Sequence, residues 1–326
     1  MRDAFTRTLY ELGRQDPRVV IVVADISAAG SMARFQTEFP SRFINVGVAE
    51  QSMIGICAGL ALRGYRPFAY TIAPFTIYRP FEFVRDDLCY QHLPVTLVGL
   101  GAGMTYAGLG GTHHTPEDVA VMGALPNLSI VAPCDPPEVE AATWACAEQR
   151  GPVYLRLAKT GEPVLTGEAV EPFQFGKLRR LKNGTDACLL SYGPIMQLTL
   201  EAAAALERER GYSVAVVSCH TLKPLDAEGL ARVLEAFPVV GVVEEHSERG
   251  GLGAQVKQLA WDTASRCALR IFALKDAFIH TFGLPRDLWA AHGITLEAIT
   301  AGIHGALCRG RVATEQHLVI DDGCSK

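Results

Sequence analysis

The feature that most constrains the fold is a rhythm of short aliphatic runs, each followed by a longer segment with helical periodicity. Residues 19–25 (VVIVVAD) form the first run, and it has no polar face. A strand of that kind must be covered on both sides, as in a parallel sheet packed between helices. The rhythm returns at residues 43–46, 67–72, 94–100, 128–132 and 153–157. It lapses over 161–184, where glycine, proline and charge replace the periodic apolar residues, then resumes at 186–191, 214–218, 239–244 and 269–274. Strands alternating with helices predict right-handed crossovers and two doubly wound α/β domains. The expected division is 1–165 for the first domain, 166–184 for a linker, 185–310 for the second domain and 311–326 for a loosely held polar tail.

A chain of 326 residues, 49% of them hydrophobic, is large enough for two cores. The net charge of −5 and the scattered lysines and arginines give no basic field for nucleic acid or an anionic membrane. No apolar stretch is long enough to span a bilayer, and the first residues lack the core of a signal peptide, so a cytoplasmic location is expected. The nine cysteines stand at isolated positions without a CxxC pair or zinc spacing, and are expected to be reduced core residues.

The stretch 42–64 (RFINVGVAEQSMIGICAGLALRG) concentrates the chemistry. A short strand reaches a turn at Gly47, and an apolar helix of about 13 residues, with no exposed face, is expected from Ala49. Glu50 stands at its first turn, between a favourable helix dipole and an unfavourable low-dielectric surround, so its proton affinity is open to tuning. The plainer reading is a first-turn polar residue placed by the dipole alone. An aromatic and basic group at Phe75, Tyr78, Arg79, Phe81 and Arg85 lies on an expected helix over 76–89. Aromatics at helical spacing also suit a helix core. A glycine-rich loop over 101–111 closes on His113 and His114, without the spacing of a dinucleotide fingerprint. All of these follow the ends of successive strands, which in a doubly wound sheet share one rim.

Together these residues resemble the transketolase family of thiamine diphosphate enzymes, and specifically the second half of that polypeptide. RFINVGVAEQSMIGICAGLA resembles the family's glutamate motif, TIAPFTIYRPFEFVRDD its aromatic segment, and GGTHHTPEDVAVM its GPTHHxxED loop. VVEEHSERGGLGAQV in the second half also matches. The resemblance implies a pyrimidine-binding domain followed by a transketolase C-terminal-type domain. It places Glu50 on the catalytic glutamate that hydrogen-bonds the cofactor's pyrimidine, and Phe75 and Tyr78 on the aromatic cofactor contacts. His113, His114, Lys159 and Arg79 fall on the substrate side, His113 against sugar oxygens and Lys159 toward a phosphate.

Two departures bear on substrate: Leu109 stands where relatives carry an acid before GPTH, and Ser52 where a histidine usually follows AEQ. One extra residue separates Phe75 from Arg85 relative to the family's spacing. The GDG motif and downstream asparagine that hold the diphosphate and Mg²⁺ do not occur. The resemblance therefore implies a split enzyme, in which a GDG-containing partner subunit supplies the metal half in an α2β2 assembly. This chain itself is expected to bind no metal. Alternatives of the same plan are the beta chain of a 2-oxoacid dehydrogenase and a 1-deoxyxylulose-5-phosphate synthase-like enzyme. A catalytically silent regulatory partner is the non-enzyme alternative.

Overall fold

The computed structural model describes residues 1–28, 30–159 and 161–321, with side chains described as far as Arg309. Its first half contains β1 (Val19–Val23), β2 (Phe43–Asn45), β3 (Arg66–Ile72), β4 (Thr96–Leu100), β5 (Ser129–Val131) and β6 (Val153–Leu157). The second half contains β7 (Arg179–Lys182), β8 (Ala187–Ser191), β9 (Val214–Ser218), β10 (Thr221–Lys223), β11 (Val239–Ser247) and β12 (Ala268–Leu274). The first sheet runs β10-β5-β6-β4-β3-β1-β2 and the second β12-β11-β8-β9-β7. β1, β4 and β6 are buried at every position, as strands covered on both faces must be. No helix among the described residues is long and apolar enough to cross a membrane.

The two sheets are not wholly parallel. β10 pairs antiparallel with β5, and β7 pairs antiparallel with β9, each at the edge of its sheet. β10 belongs to the second half of the chain yet completes the first sheet, a crossing that three residues of sequence do not announce. β7 lies inside the stretch expected to be a linker. Its alternation of buried Arg179 and Leu181 with exposed Arg180 is that of an edge strand with one covered face. The start of that stretch is also tied down, because Asp135 accepts hydrogen bonds from the Leu165 and Thr166 backbone N–H groups at 2.8 and 2.7 Å. The expected tail is helical as far as Asp321, in the helix Leu296–Asp321. Residues 322–326, including Cys324, lie outside the described part. Cys57, Cys89, Cys134, Cys146, Cys188 and Cys219 are buried and free, Cys267 is partly buried and Cys308 is exposed.

Two helices differ from expectation in ways that matter for the site. The expected helix over 76–89 is broken into Ala73–Ile77, a turn at Tyr78–Pro80, Phe81–Phe83 and the π-helix Val84–Tyr90. Pro80 cannot donate within a helix, and a π-turn takes up one residue more than an α-turn, the form an inserted residue adopts. The helix Glu50–Leu62 has its expected 13 residues, but it is not covered all round. Gln51, Ser52, Gly55 and Gly59 are exposed, as are Ile56 (37%) and Leu62 (64%), beside Val48 (70%).

One buried histidine couples this architecture to pH. His220 precedes β10, is stacked by Phe173 at 4.1 Å, and is fully buried. Burial, with the Arg179 charge adding to it, pushes its pKa down to about 3. The folded chain therefore keeps His220 neutral while the unfolded chain protonates near its usual ~6.5, so stability is lost as pH falls below that value. Between pH 7 and 5 the loss from this one group is about 2 kcal/mol. Urea unfolding should show a pH-dependent drop that is smaller by that amount in His220→Gln than in the parent chain.

Candidate functional site at the strand ends

Glu50 follows β2, Phe75 and Arg79 follow β3, His113 and His114 follow β4, and Lys159 follows β6. β1 to β6 run parallel, so these residues share the carboxyl-end rim of the first sheet. Gly47, at φ +69°, makes the turn that ends β2 and aims the next helix. Glu50 is the first residue of that helix and is 3% exposed.

Arg79, expected among substrate contacts, instead donates from Nη1 to Glu50 Oε1 at 2.9 Å. Its guanidinium carbon lies 4.3 Å from the centre of the Phe75 ring. The arginine supplies a counter-charge to a carboxylate that burial would otherwise strand. Sequence spacing could not anticipate this pairing, because the break at Pro80 sets the direction of Arg79. The contacts continue along the rim. Phe75 meets the His113 imidazole edge-on at 5.5 Å, His113 meets Tyr106 at 6.0 Å, and the Lys159 ammonium lies 5.3 Å from the Tyr106 ring. Glu50, Arg79, Phe75, His113, Tyr106 and Lys159 thus form one connected line.

Two expected site residues turn away from it. Tyr78 points inward, where its hydroxyl faces Glu117, Asp118 and Arg156, and burial raises its pKa. Of the two aromatics expected at the cofactor, Phe75 therefore is the one that shares the Arg79 guanidinium with Glu50. His114 is 5% exposed, and its Nε2 lies 3.2 Å from the Tyr106 carbonyl oxygen. Burial lowers its pKa, so a neutral ring donating to that carbonyl orders the loop. Tyr106, missed in the sequence, was the lone aromatic in an otherwise small-residue loop.

Glu50 Oε2 has no hydrogen bond among the described residues, so the carboxylate has an oxygen available to a ring nitrogen while Arg79 holds the other. A buried acid with a spare oxygen, linked through one arginine to an aromatic ring, fits the pyrimidine of thiamine diphosphate. Among the described residues no group of three or more His, Cys, Asp or Glu side chains could hold a metal ion.

Residues 1–161 match the family model for the transketolase pyrimidine binding domain, and residues 176–299 that for the transketolase C-terminal domain. An apulose-4-phosphate transketolase subunit from Phocaeicola vulgatus is 33% identical over 298 residues, covering 91% of this chain and 94% of the relative. The chain belongs to the transketolase family. It is a transketolase-like transferase chain, and family membership implies dependence on thiamine diphosphate. The 6-deoxy-6-sulfo-D-fructose transketolase subunit SqwH of Clostridium sp. strain MSTE9 is 34% identical and covers 93% of both chains. A solved structure described as a split gene transketolase, inactive beta4 tetramer, is 34% identical with a TM-score of 0.83, covering 94% of this transketolase chain and 97% of that one.

Proposed function

We propose that this chain is the pyrimidine-side subunit of a split transketolase that moves a two-carbon ketol unit between sugars with anionic tails. The observation that supports it is the connected rim from the buried Glu50 to the exposed Lys159. When bound, thiamine diphosphate supplies the nucleophilic carbon that cleaves and re-forms the bond next to a ketone. Glu50 holds or releases a proton at the pyrimidine nitrogen, and Phe75 packs against that ring. His113 hydrogen-bonds sugar oxygens, and Lys159 offers its ammonium to the tail. The two relatives are named for substrates carrying a phosphate and a sulfonate, and either anion suits a single lysine.

The diphosphate and Mg²⁺ fall to a GDG-containing partner in an α2β2 assembly. The exposed side of the helix Glu50–Leu62, where Gly55 and Gly59 allow close approach and Ile56 and Leu62 are apolar, suits such a partner. The relative described as an inactive beta4 tetramer supports the same reading, since its name reports beta chains assembled without activity.

The test is to co-express the chain with a GDG-containing subunit and assay ketol transfer over a panel of phosphorylated and sulfonated ketoses. Within that assembly, His113→Ala should raise the ketose KM about tenfold, the cost of losing a hydrogen bond to substrate. Thiamine diphosphate affinity, read by fluorescence titration, should stay within twofold of the parent. An unchanged KM would remove His113 from sugar recognition.

A further inference from the structure

The loop that presents His113 stands on two feet, and one of them rests on the second domain. Its base is closed by Thr115 N–H donating to the Gly103 carbonyl at 3.0 Å and by Gly103 N–H donating to Thr115 Oγ1 at 2.7 Å. Thr115 Oγ1 then donates to Asp118 Oδ2 at 3.1 Å. The neighbouring Met104 N–H donates to Glu245 Oε1 at 2.9 Å, across the boundary between domains. The same oxygen receives the Trp289 indole N–H at 2.8 Å. Arg156 joins the two feet, with Nε on Asp118 Oδ2 at 2.8 Å and Nη2 on the Glu245 carbonyl at 3.2 Å.

The fit at this base leaves no slack. Gly103 sits at φ +66°, and a Cβ there would lie 2.2 Å from Glu245 Oε2 and 2.6 Å from Arg156 Nη2. Glu245 is fully buried, and Arg156 and Trp289 are nearly so. A buried cluster of charges is stiff, because moving one member leaves another unpaired in a low-dielectric surround. Further out, the Phe282 ring would lie 3.3 Å from a Cβ on Gly110, three residues before His113. The second domain therefore bears on the loop at its base and near its tip.

We infer that Glu245, held by Trp289, is a positioning residue that sets the histidine loop and through it sugar recognition. The inference rests on the reading of His113 as a sugar contact. Among the described residues none of the hydrogen bonds of Glu245 reaches Glu50, Phe75 or Arg79, so it bears on the cofactor side of the rim only by way of the loop and the Phe75–His113 contact.

The experiment uses the reconstituted two-subunit enzyme. Trp289→Phe removes one donor from Glu245 and keeps an aromatic ring in the packing, while Gly103→Ala pushes the loop base away from the carboxylate. Each should raise the ketose KM three- to tenfold, with thiamine diphosphate affinity and the fraction of assembled enzyme unchanged. A fall in melting temperature or active fraction at unaltered KM in both variants means a structural role only and overturns the inference. If His113→Ala raises KM while neither variant does, the inference fails and the site reading stands. If His113→Ala has no effect, the site reading fails and the inference with it.

Discussion

Replacing Glu50 by glutamine in the assembled enzyme is expected to lower kcat ~10²-fold or more, the scale of losing a general acid-base group. The substitution keeps the size of the side chain and an oxygen that can still accept from Arg79 Nη1, now 2.9 Å from Glu50 Oε1. It removes the negative charge and, on the proposed reading, the ability to exchange a proton at the pyrimidine. Assembly, followed by size-exclusion chromatography, should be unaltered. The melting temperature should move little, because the Arg79 side chain is 47% exposed and such a pair contributes modestly to stability. A Glu50→Gln enzyme with normal turnover would take this residue out of the mechanism.

The second large effect is the dependence on a partner. Purified by itself, the chain should bind thiamine diphosphate weakly and show no ketol transfer, and adding the GDG-containing subunit should restore activity. The physical ground is the division of the site. On the proposed reading this chain offers the Glu50 carboxylate, the Phe75 ring and the His113 edge, while the partner holds the diphosphate and its Mg²⁺. Calorimetric titration of the lone chain and of the mixture with thiamine diphosphate and Mg²⁺ measures the difference directly. Tight binding and full turnover without the partner would contradict the split-site reading.

Glu50, Phe75 and His113 could be placed on one rim from sequence because each follows the end of a strand whose apolar run is unmistakable, and parallel strands end on the same side. The contacts among them could not. Arg79 lies in the turn Tyr78–Pro80 that interrupts the expected helix, so no residue spacing specifies whether it faces sugar or carboxylate. The covered and uncovered sides of Glu50–Leu62 were only partly legible: Met53, Ile54, Cys57 and Ala58 mark the buried side, but the open side mixes Gln51, Ser52, Gly55 and Gly59 with apolar Ile56 and Leu62. The Arg156–Glu245 cluster left a readable trace: a charge within VYLRLA and a pair of acids within VVEEHS, both in runs buried on two faces, must find partners. The sequence does not say that those partners lie in different domains.

β10 has a consequence for any dissection of this chain. Cutting at the boundary between the two family matches would leave β5 with a row of bare N–H and C=O groups where Thr221–Lys223 now lies. An uncapped edge of that kind recruits strands from other molecules. The amino-terminal half is thus a fragment inclined to self-associate rather than a separable module, and its solubility is a property contributed by the half that follows.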